Sequence, residues 1–172
     1  MTKHTNIFLI GLMGAGKTTL GRQIAQQLGV PFYDSDHVIC ERTGVDIPTI
    51  FAHEGEAGFR LREEAVIDEL TRQQGIVLAT GGGAPLRETN RRCLQARGTT
   101  VYLHAAPEVL LERTRYDKNR PLLQVDNPLA KLQDLYAQRD AVYRAAADHI
   151  YESGAHSSPK NIQELISLLQ QD

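Results

Sequence analysis

The 172-residue sequence predicts an α/β fold, a parallel sheet covered by helices on both faces, on three observations. Short apolar runs of strand length alternate with longer amphipathic stretches, the pattern of βαβ units. A complete phosphate-loop motif sits between the first run and the first stretch. No repeat, low-complexity segment or linker interrupts the chain, and at roughly 150 residues per domain its length predicts one domain over residues 1–172.

The elements follow in order. Asn6–Ile10 reads as a buried strand, and Lys17–Leu28 as a helix with Leu20, Ile24 and Leu28 at i, i+4 and i+8. Pro31–Tyr33 is a second, short strand. Asp36–Arg42 and Ile47–Phe51 are expected as short helices, the latter with Asp46 as N-cap and Pro48 in its first turn. Glu56–Gln73 predicts a long helix with Phe59, Ala65, Val66 and Leu70 on its apolar stripe. Ile76–Ala79 is a strand running into three glycines. Arg87–Ala96 reads as helix, Thr99–Leu103 as strand and Pro107–Arg115 as helix. After the polar stretch Tyr116–Asn127 come a long helix Leu129–Ala147, a fifth strand His149–Tyr151 and a closing helix Lys160–Gln170. Ligands of such sheets bind beyond the carboxyl ends of the strands, which says where to look for chemistry.

Composition removes several functions. Hydrophobic residues at 41% and charged residues at 23% exclude a disordered chain. Nineteen Lys plus Arg against 21 Asp plus Glu, a net charge of −2, argue against a general nucleic-acid binder. The two cysteines, Cys40 and Cys93, are too few and too far apart for a disulfide framework or zinc knuckle. The first apolar run ends after Ile10 at a glycine, unlike a signal peptide, and no stretch is long enough to span a membrane. A reducing cytosol is the expected location. The six histidines show no ligand spacing and are expected at the surface or in packing.

Gly11-Leu12-Met13-Gly14-Ala15-Gly16-Lys17-Thr18 matches G-x-x-x-x-G-K-[ST] in full, after a strand and before a helix. Glycines bring backbone N–H groups against phosphate oxygens, and the helix points its positive end at the same anion. Lys17 suits the β- and γ-phosphates, and the Thr18 hydroxyl suits Mg²⁺. The chain therefore binds a nucleoside triphosphate. Signalling GTPases are disfavoured because Asn-Lys-x-Asp and Asp-x-x-Gly are missing. Motor ATPases are disfavoured because the strand Ile76–Ala79 ends in Thr80-Gly81-Gly82-Gly83 with no carboxylate. A small kinase remains, which needs an acceptor site and a lid.

For the acceptor, Asp34-Ser35-Asp36 follows the second strand, and in extended chain its two carboxylates would share a face; Asp36 could instead cap the next helix. Arg60 and Glu63 lie three apart on one helix, so Glu63 can hold Arg60 as a fork for a carboxylate. Gly81-Gly82-Gly83 permits close backbone approach to a ligand. The segment 113–127, polar and carrying Arg120-Pro121, has the composition of a closing lid.

This combination resembles the shikimate kinase family, small P-loop kinases of aromatic amino-acid biosynthesis. The resemblance rests on GLMGAGKTT at 11–19, DSD at 34–36, FR at 59–60, TGGG at 80–83, RPLL at 120–123 and Arg139 in YAQRDAVY at 136–143. It implies a three-layer P-loop kinase fold with a five-stranded parallel sheet of order 2-3-1-4-5. It also implies transfer of the ATP γ-phosphoryl group to the 3-hydroxyl of shikimate, with Mg²⁺ as cofactor. On this resemblance Gly14, Ala15, Gly16, Lys17, Thr18 and Thr19 hold ATP, together with Arg113 at the adenine and Arg120 from the lid. Asp36, Arg60, Gly81, Gly82 and Arg139 bind shikimate, within an acceptor region 34–62. Thr18 and Asp34 hold the metal, and Lys17, Asp36 and Arg120 are the catalytic set. A cytoplasmic monomer acting on small molecules, without nucleic acid or membrane, is expected.

Two departures stand out. Ala84-Pro85 follows the glycines where the family usually has an aliphatic residue, which predicts a stiffer exit from that loop. Residues 153–159 lack the arginine that the family often supplies to adenine. The alternatives are a gluconate-type sugar kinase and a nucleotide-binding regulatory module without catalysis.

Overall fold

In a computed structural model, residues 5–117, 120–153 and 159–170 are described. Five strands, β1 (Asn6–Ile10), β2 (Phe32–Asp34), β3 (Val77–Ala79), β4 (Gly98–His104) and β5 (His149–Glu152), form one sheet in the order β2-β3-β1-β4-β5. All neighbours are parallel. The helices are α1 (Lys17–Leu28), α2 (Ser35–Thr43), α3 (Ile47–Thr71), α4 (Glu88–Arg97), α5 (Pro107–Thr114), α6 (Pro128–Ala146) and α7 (Pro159–Gln170). Because helices cover both faces, the central strands bury nearly everything: Phe8, Leu9, Ile10, Val77, Leu78 and Val101 are wholly enclosed. Asn6, buried at the start of β1, donates from Nδ2 to the Gln73 carbonyl at 2.6 Å and accepts from the Ile76 N–H at 3.0 Å. It thereby ties the start of β1 to the turn that leads into β3.

The parallel pairing aligns the ends of three strands. Asp34 pairs with Ala79, and Ala79 pairs with Leu9. Asp34-Ser35-Asp36, Thr80-Gly81-Gly82-Gly83 and the Gly11 loop therefore emerge side by side at one edge, although they are far apart in sequence.

Three expectations change. Asp34 and Asp36 do not share an extended face, because β2 ends at Asp34 and Asp36 lies in the first turn of α2. The cap of α2 is Asp34, not Asp36: Asp34 Oδ1 accepts the N–H groups of Asp36 at 3.0 Å and His37 at 3.3 Å. The helices expected at 47–51 and 56–73 form one element, α3, broken at Gly55, whose φ of 72° and ψ of 176° leave the helical region. Glycine takes that positive φ without the penalty a Cβ would bring. Asp46 caps α3 by accepting from the Thr49 N–H at 2.9 Å. After the three glycines, Ala84–Leu86 winds into a 3-10 turn that leads to α4.

Candidate active site

The site begins at the phosphate loop. Gly14 and Gly16 hold φ of 83° and 94°, a backbone that only glycine adopts readily. Gly16 caps α1 without any side-chain hydrogen bond, and no acidic residue stands in the first turn. The orphan N–H groups and positive end of α1 therefore remain for an anion. Lys17 Nζ donates to the carbonyls of Gly11 and Leu12. The Thr18 hydroxyl donates to Asp34 Oδ2 at 2.7 Å, so one carboxylate caps α2 with one oxygen and meets the phosphate loop with the other.

Burial, reinforced by Arg120, lowers the Lys17 ammonium to about 8 against the opposing pull of Asp36 and Asp34. The protonated form is the one that attracts phosphate. ATP affinity is therefore expected to hold below pH 8 and to fall above it, about tenfold by pH 9, as the free enzyme loses that proton. Calorimetric titration from pH 6.5 to 9.5 measures this, and a flat profile would contradict it. Lys17→Arg should abolish the alkaline loss.

Across the cleft, Arg60 is buried on α3 and donates from Nη1 to Glu63 Oε1 at 2.9 Å, with Glu56 at 3.3 Å on Nη2. Glu63 is 0% exposed. Desolvation raises its carboxyl to about 7 despite the neighbouring Arg60. Asp36 is likewise raised above the ordinary carboxylate range, by burial and by Asp34, with Arg120, Lys17 and Arg60 opposing. Asp36 Oδ1 and Glu63 Oε2 are buried without a hydrogen-bond partner among the described residues. Both converge on Gly81, where an added Cβ would sit 2.8 Å from the first and 2.6 Å from the second. A buried carboxylate oxygen left in this state is costly until a donor such as a ligand hydroxyl reaches it.

The three glycines thus serve close approach. At Gly83 a Cβ would stand 2.4 Å from Arg60 Nη2, while the backbone there, φ −86°, is ordinary. Gly83→Ala should therefore act through Arg60 alone. We expect about a tenfold rise in KM for a carboxylate-bearing acceptor, with KM for ATP unchanged, in steady-state kinetics. Equal changes in both would contradict it.

Two cavities meet at this edge. The larger, ≈ 1040 Å³, runs from Arg113 and Ser153 past Gly14–Thr19 to Asp34, Asp36, Gly81, Gly82 and Arg120. The smaller, ≈ 60 Å³, is lined by Asp36, Arg60, Glu63, the three glycines, Arg139 and Arg120-Pro121-Leu122. Asp36, Gly81, Gly82 and Arg120 belong to both. Arg120 Nε donates to Asp117 Oδ2 at 3.2 Å, and its Nη1 lies 3.7 Å from Asp36 Oδ2. Arg113 reaches the far end, donating to the Gly14 carbonyl at 3.1 Å and the Ser153 carbonyl at 2.6 Å. Residues 118 and 119 of the expected lid, and 154–158 of the segment considered for adenine, lie outside the described residues.

Sequence reasoning missed three supporting residues. Buried Ser35 accepts the Gly81 N–H at 3.0 Å on Oγ, tying α2 to the glycine loop. Ser153 Oγ donates to the Ala15 carbonyl at 2.7 Å, tying β5 to the phosphate loop. Asp117 holds Arg120. Ser35 carried a signal, its place between the two aspartates; the others are defined only by folding.

A triphosphate cradle opening onto an acid-and-arginine pocket at the carboxyl edge of a parallel sheet is the architecture of a P-loop kinase that phosphorylates a small anionic acceptor. The shikimate kinase family model matches residues 13–170. A shikimate kinase of Thiobacillus denitrificans is 60% identical over 157 residues, 91% of this chain and 86% of that protein. One from Neisseria meningitidis serogroup C is 59% identical over 163 residues, 95% of each. The solved structure of shikimate kinase from Acinetobacter baumannii in complex with shikimate superposes with a TM-score of 0.94 at 50% identity, covering 97% of this chain and 93% of that one. The chain belongs to the shikimate kinase family, and its activity is the ATP-dependent phosphorylation of shikimate.

Proposed function

We propose that one domain spanning residues 1–172 moves the γ-phosphoryl group of ATP to the 3-hydroxyl of shikimate, with the acceptor held by region 34–62 and the site closed by a lid at 113–127. The observation that carries this reading is the sharing of Asp36 and Arg120 between the nucleotide cavity and the arginine-lined pocket. The bond from the γ-phosphorus to the ADP oxygen breaks, a bond to the acceptor oxygen forms, and the hydroxyl proton passes toward Asp36.

Gly14, Ala15, Gly16, Lys17, Thr18 and Thr19 hold the phosphates, and Arg113 lies beside the adenine. Arg60 and Arg139 receive the acceptor carboxylate, a planar anion matched to their forks. Asp36, Glu63 and the Gly81–Gly82 backbone face the ring hydroxyls. The divalent metal is proposed to be Mg²⁺. Thr18 and Asp34 fit it: hydroxyl and carboxylate oxygens 2.7 Å apart are the hard donors it takes alongside phosphate. Bound there, it would offset charge on the β- and γ-oxygens.

Among the described residues no helix is long and apolar enough to cross a membrane. The proposed setting is a cytoplasmic monomer with no nucleic-acid or membrane partner. The experiment is ADP release from ATP and Mg²⁺ with shikimate, with gluconate and with no acceptor. Release with shikimate alone supports the reading, equal release with gluconate points to a sugar kinase, and ATP binding without release points to a regulatory module. Arg60→Ala should weaken shikimate binding by about 10- to 100-fold with ATP binding unchanged.

A further inference from the structure

Tyr143 plays no part in the chemistry above, yet its hydroxyl reaches the glycine loop of the site. It sits on α6 one turn beyond Arg139, so the two side chains share a face. Tyr143 is 0% exposed, its ring packed on Tyr102 with centroids 5.0 Å apart. Its hydroxyl donates to the Gly82 carbonyl. The Arg139 guanidinium stands beside the same hydroxyl, and Arg139 Nη1 would lie 3.5 Å from a Cβ placed on Gly82. Burial pushes the phenol up to about 12, so it remains a neutral donor across working pH.

We infer that Tyr143 is a positioning residue for the acceptor: its hydroxyl pins the Gly82 carbonyl to α6 and so fixes the glycine loop against Arg139. The loop has no side chains with which to anchor itself. Ser35 holds the Gly81 N–H from α2, and Tyr143 holds the next carbonyl from α6. The two ties come from different helices, α2 and α6, and act on neighbouring peptide groups, so together they restrain the turn of the loop backbone. A phenylalanine would fill the same space in the core and leave the Gly82 carbonyl untied, so the hydroxyl is the group to test. The inference rests on the assignment of Arg139 to the acceptor carboxylate.

Steady-state kinetics of Tyr143→Phe, Arg139→Ala and the double variant test it. Tyr143→Phe should raise KM for shikimate about tenfold and leave KM for ATP unchanged, the scale of one hydrogen bond beside a charged group. In the Arg139→Ala background the same substitution should add less than about twofold, because the two residues act as a unit. An unchanged shikimate KM, equal rises in both KM values, or additive effects in the double variant would overturn the inference. If Arg139→Ala itself leaves shikimate KM unchanged, the carboxylate assignment has failed and the inference falls with it. Should Tyr143→Phe not fold, 3-fluorotyrosine at position 143 keeps ring and hydroxyl while altering the strength of the bond. A change in shikimate KM alone then supports the inference, and no change overturns it.

Discussion

Asp36→Asn is expected to lower kcat by about 10²- to 10⁴-fold, the range for losing a positioned proton acceptor, while ATP affinity stays within about threefold. Asp36 is where the two cavities meet, with one oxygen 3.7 Å from Arg120 Nη1 and the other buried without a hydrogen-bond partner among the described residues. Asn keeps the shape and removes the charge, so on the proposed mechanism the acceptor hydroxyl would lose the group that orients it and receives its proton. The transition state of phosphoryl transfer is loose, and orientation carries more of this effect than deprotonation in advance. The pH dependence supplies a second reading. Burial and Asp34 raise the Asp36 carboxyl, and it must be ionised to accept a proton. Activity should therefore fall as pH drops through that raised value, on a limb above the ordinary carboxylate range, and Asp36→Asn should abolish the limb. Near-normal turnover in Asp36→Asn would remove Asp36 from the mechanism.

Arg120→Ala should lower kcat by about 10³-fold or more, the effect of an arginine that meets the charge of a transferring phosphoryl group, with a much smaller change in ATP affinity. Arg120 precedes the 3-10 turn Pro121–Leu123 and lies between Asp117 and Asp36, about a third exposed (36%). Both carboxylates hold the guanidinium at the junction of the cavities, where a γ-phosphoryl group would pass. A residue needed mainly to bind nucleotide would show the opposite pattern, with ATP affinity lost and turnover kept. Single-turnover measurements at saturating ATP separate the two, and partial rescue of Arg120→Ala by free guanidinium would tie the loss to that one group.

The two residues differ in how plainly the sequence announced them. Arg120 was legible as the one arginine beside proline in a polar stretch, and Asp36 as half of an aspartate pair after a strand. The folded pair does not have the geometry its spacing implies. Extended-chain periodicity puts both carboxylates on one face, whereas Asp34 ends the strand, caps α2 and receives Thr18, leaving Asp36 two residues on, in the first turn of α2. Periodicity describes an element once its boundary is known, and the boundary here was decided by a capping bond that spacing does not encode.

Local sequence determined the phosphate cradle and the alternation of strands with helices. Each depends on residues adjacent in the chain: Gly14, Gly16 and Lys17 between an apolar strand and a periodic helix. It also placed Glu63 three residues from Arg60, close enough to pair. What only the folded chain decided is that this pair is buried and that Asp36 Oδ1 joins Glu63 Oε2 over Gly81. Tyr143 reaching the carbonyl of Gly82 was likewise settled by folding. Asp36 meets Gly81 because Asp34 pairs with Ala79 and Ala79 with Leu9 across a parallel sheet, and Tyr143 meets Gly82 because α6 packs on the turn that follows the glycines. Strand order and registration come from long-range burial of apolar faces, a balance over the whole core that no short motif contains.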